Sequence, residues 1–306
     1  MSNYNGKYII VVGTNKAGTT SLFNYLAHHN SIQTSDRKQL DYFLDADYKL
    51  VKKVAEKRES YLDYFLDSIN ENAAYLLDVS PDYMYDTTTL KSIIEELDVS
   101  KLKIIFILRN PISRLQSWYN YGKQIEVLDD DLEFDEYLNL QKETLDSHMT
   151  LCAKKTGQYV DYIKPYFDAL DPDQIHIGFF EELRDTPLLF IRGLMSFLDL
   201  NDDPYEEYEF ATYNQSIELK KGLTHSVYSM LRSNALRISE KAPFLKSIIT
   251  TPGRKVSKYY KSRFGYKPKI EATQSSEIKQ LVEYYAASVR ELELLSKRKA
   301  PWMEFN

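Results

Sequence analysis

A polar loop near the start of the chain carries residues that can bind a phosphate or another oxyanion. Residues 8–13 are mostly β-branched and apolar, which predicts a buried strand, and the apolar positions from Leu22 onward predict a helix. Between them the chain reads Asn15-Lys16-Ala17-Gly18-Thr19-Thr20-Ser21. Amide groups at a helix start favour an anion, and Lys16 and the hydroxyl groups add charge and hydrogen-bond donors. Gly13 and Gly18 allow the backbone to approach an oxyanion closely.

The position of the lysine distinguishes this loop from that of nucleotide triphosphatases. Their loop reads G-x-x-x-x-G-K-S/T, with the Lys directly after the second Gly and the next hydroxyl group on Mg²⁺. Gly13 and Gly18 keep that spacing, but Thr19 stands in the lysine position and Lys16 comes two residues before Gly18. The positive charge is therefore predicted on the loop rather than on the helix.

A second segment combines a strand, a capped helix and an arginine suited to phosphate. Five consecutive apolar residues before Arg109 predict a buried parallel strand, with Arg109 at its carboxyl end. Asn110 is a good N-cap and Pro111 suits the first helical position, so a helix is predicted to start there. The planar guanidinium fits phosphate oxygens, and Ser117, eight residues after Arg109, adds a hydroxyl group. Arg114 is expected to form an ion pair at the surface, with a contact to the phosphate site as the alternative.

The alternation of strand and helix patterns predicts the fold class. Strands are predicted around residues 8–13, 32–34, 75–79, 103–109 and 175–179. Helical patterns separate them, so we expect an α/β fold, a three-layer α/β/α arrangement with a central parallel sheet and right-handed crossovers. Ligands of such sheets bind beyond the carboxyl ends of the strands, where both phosphate segments lie.

Composition limits the class of protein and of partner. The chain has 306 residues with 43% hydrophobic content, enough for a sizeable core. Its net charge of −6 disfavours a nucleic-acid-binding protein with a basic surface. The single cysteine, Cys152, excludes an intramolecular disulfide bond, and no apolar run is long enough to predict a membrane span. We therefore expect a globular cytoplasmic protein without nucleic-acid partners.

The two phosphate segments resemble those of sulfotransferases that use 3′-phosphoadenosine 5′-phosphosulfate (PAPS), in particular the bacterial and carbohydrate enzymes. N-K-A-G-T-T-S-L resembles their 5′-phosphosulfate loop, and L-R-N-P-x-x-R-x-x-S resembles their 3′-phosphate segment. The resemblance implies a PAPS-dependent sulfotransferase that needs no metal and releases 3′,5′-adenosine bisphosphate (PAP). It assigns Lys16 to catalysis at the leaving phosphate, residues 16–21 to the 5′ end of PAPS, and Arg109 and Ser117 to the 3′-phosphate.

A third segment bears on the acceptor and on the catalytic base. It reads Arg37-Lys38-Gln39-Leu40-Asp41-Tyr42-Phe43 and resembles the family's K-E-x-x-F/Y-F segment, whose Glu is thought to be the general base. Gln39 stands in that place, and an amide cannot accept a proton at working pH. Three residues stay open as the base: Asp41, Asp78 and His148. In an extended segment Asp41 would lie on the same side as residue 39. A reaction without a protein base also stays open. The resemblance implies acceptor contacts from Lys38, Gln39, Tyr42, Phe43 and Tyr83.

The remaining expectations concern the late part of the chain and the acceptor. Lys220-Lys221-Gly222 is similar to a basic element that closes over the 3′-phosphate in the family. Residues 205–270 are expected to be a lid or an acceptor-facing insertion in a single domain of residues 1–306. The implied acceptor is a hydroxyl or amine of a small molecule or carbohydrate, and no oligomeric state is predicted. Two alternatives stay open: a P-loop nucleotide kinase, in which Asp78 would hold Mg²⁺, and a non-catalytic PAPS- or nucleotide-binding module, which would explain Gln39.

Overall fold

The structure, a computed structural model, describes residues 4–51, 57–65, 73–129, 131–211, 218–219, 265–266 and 275–305. The chain divides into two compact units. The first comprises Met1–Asn214 and Gln274–Asn306, and the second is Gln215–Thr273. Both predicted phosphate segments, around Lys16 and Arg109, belong to the first unit.

A five-stranded parallel sheet forms the centre of the first unit. Its strands are β1 (Lys7–Gly13), β2 (Ile32–Thr34), β3 (Tyr75–Val79), β4 (Leu102–Leu108) and β5 (Ile175–Phe179). They lie in the order β2-β3-β1-β4-β5, and every neighbouring pair is parallel. The three central strands are buried along almost their whole length, as expected when helices cover both faces. The five predicted strands and their parallel arrangement are confirmed.

Helices cover both faces of this sheet. Within the described ranges they are α1 (Thr19–Leu26), α2 (Thr89–Glu96), α3 (Pro111–Gln124), α4 (Phe134–Asn139), α5 (Met149–Cys152), α6 (Val160–Ala169), α7 (Phe180–Asp185), α8 (Pro187–Phe197) and α9 (Ser275–Ser296). Alternate residues of β1 enter separate cores. Ile9 and Val11 pack with α1 and α8, whereas Ile10 and Val12 pack with α3, α6 and α9. This alternation confirms the predicted three layers.

The carboxyl ends of neighbouring strands bring the motif segments to one edge of the sheet. β1 lies between β3 and β4. Gly13 ends β1 beside Phe106 of β4, and Arg109 follows the last residue of β4 directly. Asp78 is the penultimate residue of β3. The loop after β1 is therefore flanked by Arg109 on one side and by the segment after Asp78 on the other.

Helix α3 begins where the sequence predicts. The side-chain oxygen of Asn110 accepts hydrogen bonds from the amides of Ile112 and Ser113, at 3.0 and 3.1 Å. Pro111 occupies the first helical position, where its missing N–H costs nothing. This cap starts the helix immediately after Arg109 and so orients the residues of α3 relative to the end of β4.

The second unit is described only at a short antiparallel pair, β6 (Glu218–Leu219) and β7 (Gly265–Tyr266). The predicted basic element Lys220-Lys221-Gly222 lies outside the described residues. The lid expected for residues 205–270, and the single domain expected for the whole chain, stay predictions. No helix in the described part of the chain has the length and apolar character needed to cross a membrane.

The packing of β5 against α8 leads to a stability prediction with a matched control. A Cβ at Gly178 would lie 2.6 Å from the Phe190 ring, whereas a Cβ at Gly193 in α8 would meet nothing within 4 Å. We expect Gly178→Ala to lower the free energy of unfolding by about 1–3 kcal/mol through overpacking. Gly193→Ala should raise it by about 0.5–1 kcal/mol, because the helix loses a flexible residue. Urea unfolding measures both, and equal shifts would contradict this packing.

Candidate active site

The loop after β1 turns sharply before helix α1. Lys16 and Gly18 have φ angles of 69° and 80°, both in the left-handed region. Gly18 directly precedes α1 and has no side chain to cap it. A Cβ at this position would also lie 2.8 Å from the Phe180 ring. Glycine is therefore required here both for the backbone angle and for the close contact with Phe180.

A buried arginine holds the first half of this loop. Arg114 on α3 is fully buried, and its Nε donates a hydrogen bond to the carbonyl oxygen of Asn15 at 3.0 Å. Its terminal nitrogens donate to the carbonyl oxygen of Ala153 and to the hydroxyl groups of Tyr85 and Thr156. The expected surface ion pair of Arg114 is wrong, because the side chain points from α3 into the interior and meets these acceptors there.

Arg109 holds the second half of the loop. Its Nη1 donates to the carbonyl oxygen of Lys16 at 3.1 Å, and its guanidinium lies over the Phe180 ring, 4.9 Å from the centroid. Burial lowers the pKa of Arg109, although the carboxylate of Glu181 acts in the opposite direction. Ser117, two turns into α3, is buried. The structure thus brings the two predicted phosphate segments into direct contact.

The Lys16 ammonium is surrounded by aromatic rings and other cations. Its Nζ lies 4.0 Å from the ring centroid of Tyr121 and 5.8 Å from that of Trp118, both on α3. Burial, followed by the charges of Arg109 and Arg114, lowers the pKa of Lys16 to about 8. Among the described residues no carboxylate forms an ion pair with this ammonium. Such an excess of positive charge favours an anionic ligand at the loop.

The segment of residues 35–43 lies against the start of α1. Lys38 Nζ donates a hydrogen bond to Thr20 Oγ1 at 2.8 Å. Gln39 and Asp41 have φ angles of 62° and 51°, so the backbone turns through the left-handed region twice. The extended conformation expected for this segment is therefore wrong, and strand-like alternation is not what positions Asp41.

Asp78 organises this segment from the interior. It is fully buried, and Ser80 Oγ and Tyr83 OH donate to its two carboxylate oxygens at 2.6 and 3.0 Å. Ser80 Oγ in turn accepts hydrogen bonds from the amides of Leu40 and Asp41, at 3.0 and 3.2 Å. Burial raises the pKa of Asp78 to about 7, although its hydrogen bonds act in the opposite direction. Both Asp78 oxygens are therefore used in holding the turn around Asp41.

Asp41 differs from Asp78 in having an acceptor oxygen to spare. Its Oδ1 is buried and has no hydrogen-bond partner within the described part of the chain. Burial, followed by the nearby Asp82 carboxylate, raises the pKa of Asp41 to about 6, whereas Arg37 and Lys38 lower it. A carboxyl group with a raised pKa and an unused acceptor oxygen has the properties of a general base.

The other predicted site residues have structural partners. His148 caps α5, because its Nδ1 accepts the backbone N–H two residues further on at 3.3 Å, and burial lowers its pKa. Tyr42 OH donates to Glu96 Oε1 at 2.9 Å. The rings of Phe43 and Tyr83 pack against each other in the core. Acceptor contacts from Tyr42, Phe43 and Tyr83 stay predictions, as do those from Gln39.

Two side chains at the site were missed by the sequence reasoning. Asp82 is buried and accepts a hydrogen bond from Tyr48 OH at 3.1 Å, and the side chain of Asn15 also bonds to it. The other is Tyr121, whose ring lies beside the Lys16 ammonium. A signal for Tyr121 was present, because it comes four residues after Ser117 and so shares its face of α3. No local pattern connects Asp82 with Asn15.

This fold and cradle define a class of protein: an α/β protein that binds a phosphorylated ligand at the carboxyl edge of a parallel sheet. Residues 7–283 match the Sulfotransferase domain family. The chain belongs to that family.

Known proteins agree with this assignment. A crystallised sulfotransferase from Alicyclobacillus acidocaldarius superposes with a TM-score of 0.67 over 97% of this chain and 98% of that one, at 18% identity, so the fold is shared. Membrane-associated sulfotransferase kil1 of Dictyostelium discoideum is 30% identical over 38% of this chain and 23% of its own length. The bifunctional heparan sulfate N-deacetylase/N-sulfotransferase of Drosophila melanogaster is 22% identical over 74% and 22%. The chain spans less than a quarter of these curated relatives.

Family membership makes this chain a sulfotransferase domain, for which the sequence resemblance implies PAPS as the cofactor. The residues present fit that anionic cofactor. The ammonium of Lys16 and the guanidinium of Arg109 have no ion-pair partner among the described carboxylates, and both border the loop that precedes α1. Lys16 and residues 17–21 would hold the phosphosulfate end, and Arg109 and Ser117 the 3′-phosphate. Bound there, PAPS would supply a sulfuryl group attached to a good leaving group.

The position of Arg109 generates a binding prediction. Arg109→Ala should weaken PAP binding by about 10- to 100-fold, since a hydrogen-bonded cation is lost from the 3′-phosphate. Adenosine 5′-monophosphate, which lacks that phosphate, should bind almost unchanged. Because Arg109 also donates to the Lys16 carbonyl oxygen, equal losses for both ligands would mean a purely structural role. Isothermal titration measures both, with Arg192→Ala, from a surface ion pair with Asp202, as control.

Proposed function

We propose that this chain transfers a sulfuryl group from PAPS to a hydroxyl or amine of a small-molecule or carbohydrate acceptor. The observation that carries the proposal is the buried Asp41 oxygen, which has no hydrogen-bond partner among the described residues and belongs to a segment that hydrogen-bonds to the start of α1. A carboxylate suited to accept a proton thus belongs to the same site as a cradle suited to a departing phosphate. The single cysteine supports a reducing, cytoplasmic setting.

The cradle residues would act on the charge that develops during transfer. As the acceptor oxygen or nitrogen bonds to sulfur, the bond from sulfur to the 5′-phosphate oxygen breaks, and negative charge grows on the phosphate. Lys16 and the amides at the start of α1 would stabilise that charge, because they are already oriented and need no reorganisation. The acceptor proton would pass to Asp41, and the 5′-phosphate would leave as anionic PAP, held by the cradle.

Asp41 is a better candidate base than the other two residues. Both oxygens of Asp78 already accept hydrogen bonds from Ser80 and Tyr83. The Nδ1 of His148 accepts the N–H of Thr150, so its basic nitrogen is engaged as a helix cap. Asp41 retains an unengaged oxygen in the described structure, and its pKa of about 6 leaves it mostly ionised at neutral pH.

Two related functions remain for comparison. A non-catalytic PAPS-binding module would explain Gln39 in the place of the family's Glu, and a nucleotide kinase would require ATP and Mg²⁺ at the same loop. Titration with PAP and with ATP-Mg²⁺ distinguishes a sulfotransferase from a kinase. A sulfate-transfer assay distinguishes an active sulfotransferase from a non-catalytic binding module. The N-sulfotransferase relatives make amine-bearing saccharides the first acceptors to test with labelled PAPS, followed by hydroxyl-bearing ones.

The role of Lys16 is tested by its removal. Lys16→Ala should lower sulfate-transfer turnover by about 100-fold or more, because the lysine acts on charge that appears only in the transition state. Thermal unfolding should change little, since the ammonium of Lys16 contacts only rings on α3 within the described structure. Lys91→Ala, from a surface pair with Glu95, is the control. Near-normal turnover in Lys16→Ala would remove this lysine from the mechanism.

The base is tested by a pH-rate profile. In the wild-type protein the rate should fall below about pH 6, the pKa of Asp41, because the carboxyl group is then protonated. Asp41→Asn should lose about 100- to 10,000-fold in turnover and should also lose this acidic limb. Asp78→Asn and His148→Gln, measured in parallel, should retain the limb. An Asp41→Asn variant that keeps it would show that the acceptor ionises without this residue.

A further inference from the structure

The side chain of Lys38 contacts the first turn of helix α1. Its Nζ donates a hydrogen bond to Thr20 Oγ1 at 2.8 Å, and Thr20 is the second residue of α1. The resemblance assigned Lys38 to the acceptor together with its neighbours Tyr42 and Phe43. The contact with Thr20 instead connects Lys38 to the helix whose start borders the loop of Lys16.

The ammonium of Lys38 is partly buried and forms no ion pair in the described structure. Burial lowers the pKa of its ammonium to about 8, and the carboxylate of Asp41 is the charged group that opposes this shift. Among the described residues no carboxylate forms an ion pair with Lys38, and its hydrogen-bond partner, Thr20, is neutral. Withdrawing an ammonium from water in this way is unfavourable unless an anion binds beside it. Burial lowers the pKa of the Lys16 ammonium in the same way.

The backbone around Lys38 is held from two sides. Arg37 Nη2 donates to the carbonyl oxygen of Leu40 at 3.0 Å, which closes the turn across its own backbone. Ser80 Oγ accepts from the amides of Leu40 and Asp41 on the interior side. These hydrogen bonds fix the turn. The turn directs Lys38 to α1 and also buries the carboxyl oxygen of Asp41. The position of its ammonium is therefore built into the fold.

We propose that Lys38 is a second cation of the phosphosulfate cradle, which binds the 5′-phosphosulfate end of the donor together with Lys16. This inference rests on the proposed function and assigns the residue to the donor rather than to the acceptor. Two lysines then approach the 5′ end of the donor, Lys16 from the loop after β1 and Lys38 from the segment after β2. Each adds a positive charge at the phosphate that leaves with PAP.

Binding of two nucleotides separates this role from an acceptor role. PAP carries a phosphate at the 5′ position, and adenosine 3′-monophosphate does not. Lys38→Met should weaken PAP binding by about tenfold or more, the loss of one charged hydrogen bond, and change binding of adenosine 3′-monophosphate by less than about twofold. Lys38→Gln, which can still bond to Thr20, should show the same pattern, and Lys38→Arg should retain most of the affinity. Lys164→Met, from a surface pair with Asp168, is the control.

The pH dependence of PAP binding is a second test, because a purely structural role of Lys38 would leave it unchanged. Lys16 and Lys38 both have a pKa of about 8 and must be protonated to bind the 5′-phosphate. Above pH 8 the logarithm of the PAP association constant should fall with a slope approaching about −2 per pH unit in the wild-type protein. In Lys38→Gln the slope should approach about −1, because one of the two linked protons is gone.

The outcomes distinguish this inference from the function on which it rests. A wild-type protein that does not bind PAP overturns both. If the wild type binds PAP and Lys38→Gln binds it equally well, with the same slope, the inference is wrong while the proposed function stands. A raised KM for the acceptor with unchanged PAP affinity would return Lys38 to the acceptor site. Equal losses for both nucleotides would reduce it to a structural residue.

Discussion

Two hydrogen bonds from arginine to carbonyl oxygens hold the anion-binding loop in its shape. Arg114 donates to the carbonyl of Asn15, and Arg109 donates to that of Lys16. Because a trans peptide group is planar, a carbonyl drawn toward one side directs the following N–H toward the other. The arginines therefore orient the amides of the loop and also leave their own positive charge beside it. The left-handed conformation of Lys16 depends on this support, since residues other than glycine seldom adopt it.

The site keeps its positive and negative groups on separate strands. The cations Arg109 and Arg114 follow β4, whereas Asp78 and Asp82 belong to the end of β3 and the turn after it. Burial raises the pKa values of both of these carboxyl groups. The pKa of Asp78 reaches about 7, so part of its negative charge is suppressed near neutral pH. An anionic ligand thus meets concentrated positive charge without an equal number of carboxylates to neutralise it.

One short turn connects these two sides. It carries Lys38, which contacts α1, and Asp41, whose carboxyl oxygen is buried without a partner in the described structure. Asp78 holds the turn through Ser80, so a fully buried carboxyl group controls the position of residues that face a ligand. Gln39 lies within this turn in a left-handed conformation, so its side chain leaves the backbone in a different direction from that of a residue in an extended segment.

The sequence by itself determined the sheet, the two phosphate segments and the family. The strands, the Asn110 cap and the glycine at residue 18 are local features, since apolar runs, capping side chains and positive φ angles depend on residues close together in the chain. The contacts that give the site its chemistry join residues far apart: Arg114 with Asn15, Lys38 with Thr20, and Asp82 with Asn15. Only the tertiary structure decided that Arg114 is buried and that, within the described ranges, Asp41 rather than Asp78 keeps an oxygen without a hydrogen-bond partner. Burial and hydrogen-bond partners are properties of packing between elements, and no spacing along the chain encodes them.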